Sequence, residues 1–89
     1  MLLAISYTAL VHKIYLIRAD WDPEAAVWVV TSDDIPGLVT EAVTLEALIG
    51  KLQGMVPELL QANGEAASQE IAYELLARRF DVAQPNAVH

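Results

Sequence analysis

Cysteine is absent from this chain of 89 residues, which excludes disulfides, cysteine-ligated zinc, iron–sulfur clusters and a thiol nucleophile. Basic residues are scarce. Lys13, Arg18, Lys51, Arg78 and Arg79 face twelve acidic residues, for a formal charge of −7. A phosphate backbone is attracted by clustered Lys and Arg, so direct nucleic-acid binding by this domain is disfavoured. A basic protein partner is easier to accommodate. The longest apolar opening, Met1 to Val11, is far short of the roughly 20 residues that span a bilayer. His12 and Lys13 follow that run, whereas a signal peptide carries its positive charge before it. Residues 1–12 therefore read as an apolar leader or an extra strand. No membrane role is expected, and a cytoplasmic location is the default.

The chemistry-bearing motifs are equally sparse. His12 and His89 sit at opposite ends of the chain with no third ligand at zinc spacing. Ser6, Ser32 and Ser68 have no G-x-S-x-G context. Gly50 and Gly54 lie inside a helical segment and form no phosphate loop; glycines there would let another backbone approach. Neither cofactor, metal nor catalytic residue is expected, and the chain reads as non-enzymatic. One alternative stands beside this. Asp20, Asp22, Glu24, Asp33 and Asp34 cluster in two turns that a hairpin could bring together, and Mg²⁺ or Mn²⁺ prefers such carboxylates. Acids also line turns because they are soluble and accept from backbone amides. Catalysis would need at least two of them fixed on strands.

What is present describes one small domain. A chain of this size buries about 60–65% of the surface its unfolded form exposes, so its core is thin. With 55% hydrophobic residues, it carries more apolar surface than so small a body hides, and a homodimer or higher assembly is expected. Residues 13–20 alternate: Ile14, Leu16 and Arg18 face one way, Tyr15, Ile17 and Ala19 the other, which is strand periodicity. Trp21-Asp22-Pro23-Glu24-Ala25 turns the chain, and Val27 to Thr31 returns antiparallel. Asp33-Asp34-Ile35-Pro36-Gly37 breaks that strand, with Pro36 and Gly37 suited to a type II turn. Leu38 to Ala42 is a third short strand. Trp21 and Trp28, without basic neighbours, read as core or interface anchors.

Thr44 is an N-cap with Glu46 in the first helical turn. Leu45, Leu48, Ile49, Leu52, Val56, Leu59 and Leu60 then form one apolar stripe. Pro57 predicts a kink, or a second short helix starting near it. Asn63-Gly64 ends the helix. Ser68 to Arg79 satisfies both periods, with helix-forming composition but alternating apolar positions.

The order Asp-Trp-Asp-Pro-Glu, Val27 to Val30, Asp34-Ile35-Pro36-Gly37-Leu38, then Thr44-Leu45-Glu46-Ala47 resembles the HicB-like antitoxin domains. Asp20-Trp21-Asp22-Pro23-Glu24, Ile35-Pro36-Gly37-Leu38 and Leu59-Leu60-Gln61-Ala62-Asn63-Gly64 are together most similar to a short bacterial branch of uncharacterised function. The resemblance covers residues 13 to about 79 and implies an α+β fold ordered β-β-β-α-β. In it a three-stranded antiparallel sheet carries a helix on one face, and a fourth strand lies beside the first. On that ground Ser68 to Arg79 is assigned as strand, residues 13–80 as the domain and 81–89 as a disordered tail. HicB-like antitoxins neutralise a small basic HicA ribonuclease with this domain and bind operator DNA with a separate C-terminal segment. Here only about ten residues follow Arg79, so DNA binding is not implied. The resemblance therefore implies a solitary antitoxin-type module, with Asp33, Asp34 and Trp28 as candidate partner contacts and Pro36 and Gly37 as structural turn residues. HicB-like domains are also similar to a pared-down RNase H fold, which lends the alternative of a small metal-dependent nuclease using turn aspartates.

Overall fold

The computed structural model describes residues 13–65 and 70–86. The expected leader (1–12), the end of the tail (87–89) and the start of the last strand assignment at Ser68 lie outside them. Five elements follow in chain order: β1 (Ile14–Asp22), β2 (Val27–Thr31), β3 (Thr40–Ala42), α1 (Leu45–Ala62) and β4 (Ala72–Arg78). The sheet order is β3-β2-β1-β4. β1, β2 and β3 are antiparallel neighbours, and β4 runs parallel to β1 from Ile14↔Ala72 to Asp20↔Arg78. A parallel neighbour needs a long crossover, and α1 supplies it. The fold is the α+β arrangement β-β-β-α-β.

The alternation in β1 sorts its faces as the sequence indicates. Ile17 and Ala19 are buried, while Ile14 and Leu16 are exposed on the other side. β1 runs two residues into the expected turn, because Trp21 pairs with Trp28 and Asp22 with Val27. The turn is Pro23–Ala26. The Asp22 carboxylate accepts from the Glu24 and Ala25 amides at 3.0 and 3.3 Å, and Ala26 closes the loop with φ 58°. β3 is shorter than expected: Val39 is exposed, and Leu38 is buried from within the loop.

The core joins Ile17 and Ala19 of β1, Val30 of β2, Ala42 of β3, Ile35 and Leu38 of the loop, and Leu48, Leu52, Val56 and Leu60 of α1. These four helical positions are four residues apart, one side of the helix. Ile49 does not join the stripe, being exposed, whereas Met55, outside the expected stripe, packs partly buried against the core. The second short helix expected near Pro57 does not form, since α1 is one helix from Leu45 to Ala62. Pro57 sits on the exposed side, so the buried stripe continues past it, and packing holds the backbone helical despite one lost hydrogen bond.

Both ends of α1 are closed by backbone and side-chain bonds. Thr44 Oγ1 accepts from the Ala47 amide at 3.0 Å. At the other end the amides of Gly64 and Glu65 donate to the carbonyls of Gln61 and Leu60 at 3.1 and 2.8 Å, with Gly64 at φ 84°, a Schellman closure. β4 forms against helix-forming composition because seven consecutive residues find partners on β1. Its Tyr73 and Leu75 pack against the core, so tertiary context overrides propensity.

Candidate functional site

β2 leaves the sheet at Thr31, opposite Arg18, so Leu16 further along β1 has no β2 partner. The following loop takes over the ladder with side chains. Ser32 Oγ donates to the Leu16 carbonyl at 2.6 Å and accepts from the amides of Asp34 and Ile35 at 3.1 and 3.2 Å. Asp34 Oδ2 accepts from the Leu16 amide at 2.8 Å. Ile35 then drops into the core, and the Leu38 amide donates back to the Ile35 carbonyl at 3.2 Å. Gly37, with φ 88°, occupies the third position of this turn, where a type II geometry requires a positive value. Asn63, the C-cap of α1, donates to the Pro36 carbonyl at 3.0 Å. The Pro36-Gly37 turn is therefore fastened to the sheet on one side and to the helix end on the other.

This architecture separates the candidate contact residues. Asp34 is half-buried and committed to the Leu16 amide. Asp33 projects from the same loop with its side chain 91% exposed, 3.8 Å from Arg18. Trp28 lies on the core-facing side of β2, half-buried, with its ring centroid 5.3 Å from Trp21 in an edge-on pair. Arg79 completes that cluster, its guanidinium 4.3 Å above the Trp21 ring. It is a packing cluster at the far end of the hairpin from Asp33.

The hairpin also keeps the two acidic turns apart. Asp22 precedes and Glu24 lies within the turn between β1 and β2, and Asp33 and Asp34 follow the opposite end of β2. Four residues of strand separate the pair Asp22↔Val27 from Arg18↔Thr31, about 13 Å at the usual rise. Asp20 turns to Arg78 at 3.6 Å. Among the described residues no three of His, Cys, Asp and Glu come together as a metal-holding group.

What remains is the outer face of the sheet, away from α1. β1 and β4 present Ile14, Leu16, Arg18, Asp20, Glu74, Leu76 and Arg78 there. A shallow cleft of about 210 Å³ opens where the loop meets this face, between Leu16, Leu76, Arg18 and Asp33. Beyond the opposite side of the sheet, Tyr15 donates to Glu65 at 2.7 Å, tying β1 to the segment that closes the helix end. The bond to Glu65, then partial burial, then the negative charges of Glu65 and Asp34 hold the Tyr15 phenol above its ordinary value near 10. Ser-Asp-Asp after a strand was a legible sign of the Ser32 turn. The clamps made by Tyr15 and Asn63 join residues distant in sequence and left no such sign.

Residues 14–84 match the family described as a domain of unknown function, DUF1902. The chain belongs to that family. The DUF1902 fold is also seen in the crystal structure of a hypothetical protein from the extremely thermophilic bacterium Thermus thermophilus. That structure is 51% identical, spans 80% of this chain and 100% of its own, and superposes with a TM-score of 0.69. No curated protein matches the chain. Among the described residues no helix is long and apolar enough to cross a membrane.

Proposed function

We propose that this DUF1902 chain is a non-catalytic, HicB-like protein-binding module, a solitary antitoxin-type protein that covers a small basic ribonuclease of the HicA kind. Its working location is the cytoplasm, where such a ribonuclease meets RNA. The observation that carries the reading is the exposed Asp33 at the mouth of the cleft beside Leu16 and Leu76. Among the described residues, the rim of this apolar floor sets Asp33 and Asp34 against the single cation Arg18, which leaves net negative charge for a basic protein. A Lys or Arg of that protein would compete with Arg18 for the Asp33 carboxylate while its apolar stem lies on the leucines. The net charge of −7 adds long-range attraction for the same partner and repulsion for nucleic acid.

The test is capture from the native host with the tagged full chain, followed by association kinetics with the captured protein. A small basic protein is expected, with an association rate that falls as salt rises. Asp33→Asn should slow that association while the melting temperature stays unchanged, because a fully solvated carboxylate contributes little to stability. Capture of an acidic partner, or association indifferent to both salt and Asp33, would sink the proposal. Stoichiometric micromolar Mg²⁺ or Mn²⁺ uptake in calorimetry would favour the nuclease reading instead.

A further inference from the structure

Among the described residues, the outward edge of β4 is the long open margin of the sheet. β4 pairs with β1 on one side, and among the described residues no strand pairs with it on the other. A strand edge of seven residues is a template for another strand. The side chains along it are arranged to match their own reverse. Around Leu76 the sequence reads Glu74-Leu75-Leu76-Ala77-Arg78, acid two residues before the centre and base two residues after.

We infer that two copies of this chain join edge to edge through antiparallel β4 strands, with the two-fold axis at Leu76. In that register Glu74 of each copy lies opposite Arg78 of the other, Leu76 lies opposite Leu76, and Leu75 lies opposite Ala77. An isologous contact demands this kind of self-matching. Other registers fail on charge: centring on Glu74 or on Arg78 sets like charges face to face, and centring on Leu75 or Ala77 leaves both charges opposite apolar residues. The axis stands perpendicular to the sheet, so both helices stay on one side and the two outer faces merge. Leu16, Leu76 and Ile14, which are 48%, 52% and 57% exposed, then form one apolar strip across the seam. Phe80, two residues beyond β4 and 85% exposed, comes opposite Ala72 of the second copy and beside its Ile14. Arg78 gives up only a solvated contact with Asp20, its own side chain being 90% exposed.

Because the chain has no cysteine, single-cysteine variants read this geometry directly. Directly opposed residues of an antiparallel pair lie about 4.5–5.5 Å apart at Cα, within the span of a disulfide. Leu76→Cys should therefore cross-link to a covalent dimer under mild oxidation. Glu74→Cys should not, because residues 74 of the two copies are offset by about 13 Å along the strands. Sedimentation of the unaltered chain should give twice the 9.7 kDa of one copy, and Leu76→Lys should return the single mass while keeping its circular dichroism. A monomer through the high micromolar range, equal cross-linking at 74 and 76, or a dimer that survives Leu76→Lys would each overturn the inference.

Discussion

Gly37 and Ala26 both hold a positive φ, at 88° and 58°, yet they call for opposite changes. Gly37→Val should lower stability by more than about 1 kcal/mol, since a β-branched residue resists that conformation. Space is not the obstacle, because an added Cβ would meet Leu59 at an ordinary 3.5 Å. Ala26→Gly should instead raise stability by about 0.5–1 kcal/mol, because relief of the left-handed strain of an L-residue outweighs the extra chain entropy of glycine. Equilibrium urea unfolding of the two variants checks both signs. Tyr15 adds a pH dependence. Its folded-state pKa lies above the unfolded value near 10, so its contribution is fully present below pH 10 and is lost as pH rises through the folded value. Tyr15→Phe should flatten the alkaline end of the melting curve; an unaltered alkaline profile would show that the bond to Glu65 carries no such linkage.

α1 and β4 illustrate how packing overrides local preference. Pro57 lies within an unbroken helix, and its ring and missing amide oppose a geometry that Leu52, Val56 and Leu60 enforce from the buried side. Pro57→Ala should therefore stabilise the chain, by up to about 3 kcal/mol, read as a higher melting temperature. Leu52→Ala should cost about 2–5 kcal/mol, because it empties a fully buried position beneath the sheet. Asp34→Ala removes the acceptor of the Leu16 amide and should lower stability by about 1–3 kcal/mol. Asp33, one residue away and solvated, should tolerate the same change. That contrast separates two adjacent carboxylates that look alike in the sequence.

The sheet presents a partly apolar face opposite the helix, on which Arg18 and Arg78 stand among Asp20, Asp33 and Glu74. A chain with −7 charge and five basic residues should bind duplex DNA or RNA only weakly, without the steep salt dependence that released counterions produce. Two of those basic side chains are engaged with Asp20 and Asp33, and Arg79 is engaged with Asp81 and Trp21, which dilutes positive potential further. Fluorescence anisotropy with labelled duplexes reads this directly; sub-micromolar binding near physiological salt would contradict it.

The sequence alone carried the strand alternation of β1, the Thr44 cap, the Asn63-Gly64 stop and the Pro36-Gly37 turn, because each of these depends on residues a few positions apart. It also carried the acidic balance. It could not decide whether Ser68 to Arg79 was helix or strand, since both periods fit and the partner strand lies more than fifty residues earlier. Nor could it separate Asp33 from Asp34, or place the two acidic turns at opposite ends of the hairpin. Those outcomes depend on register. Register is fixed only when Ile17, Ala19 and Val30 must share one face with the helix stripe of Leu48, Leu52, Val56 and Leu60, since a one-residue slip would turn the whole set outward.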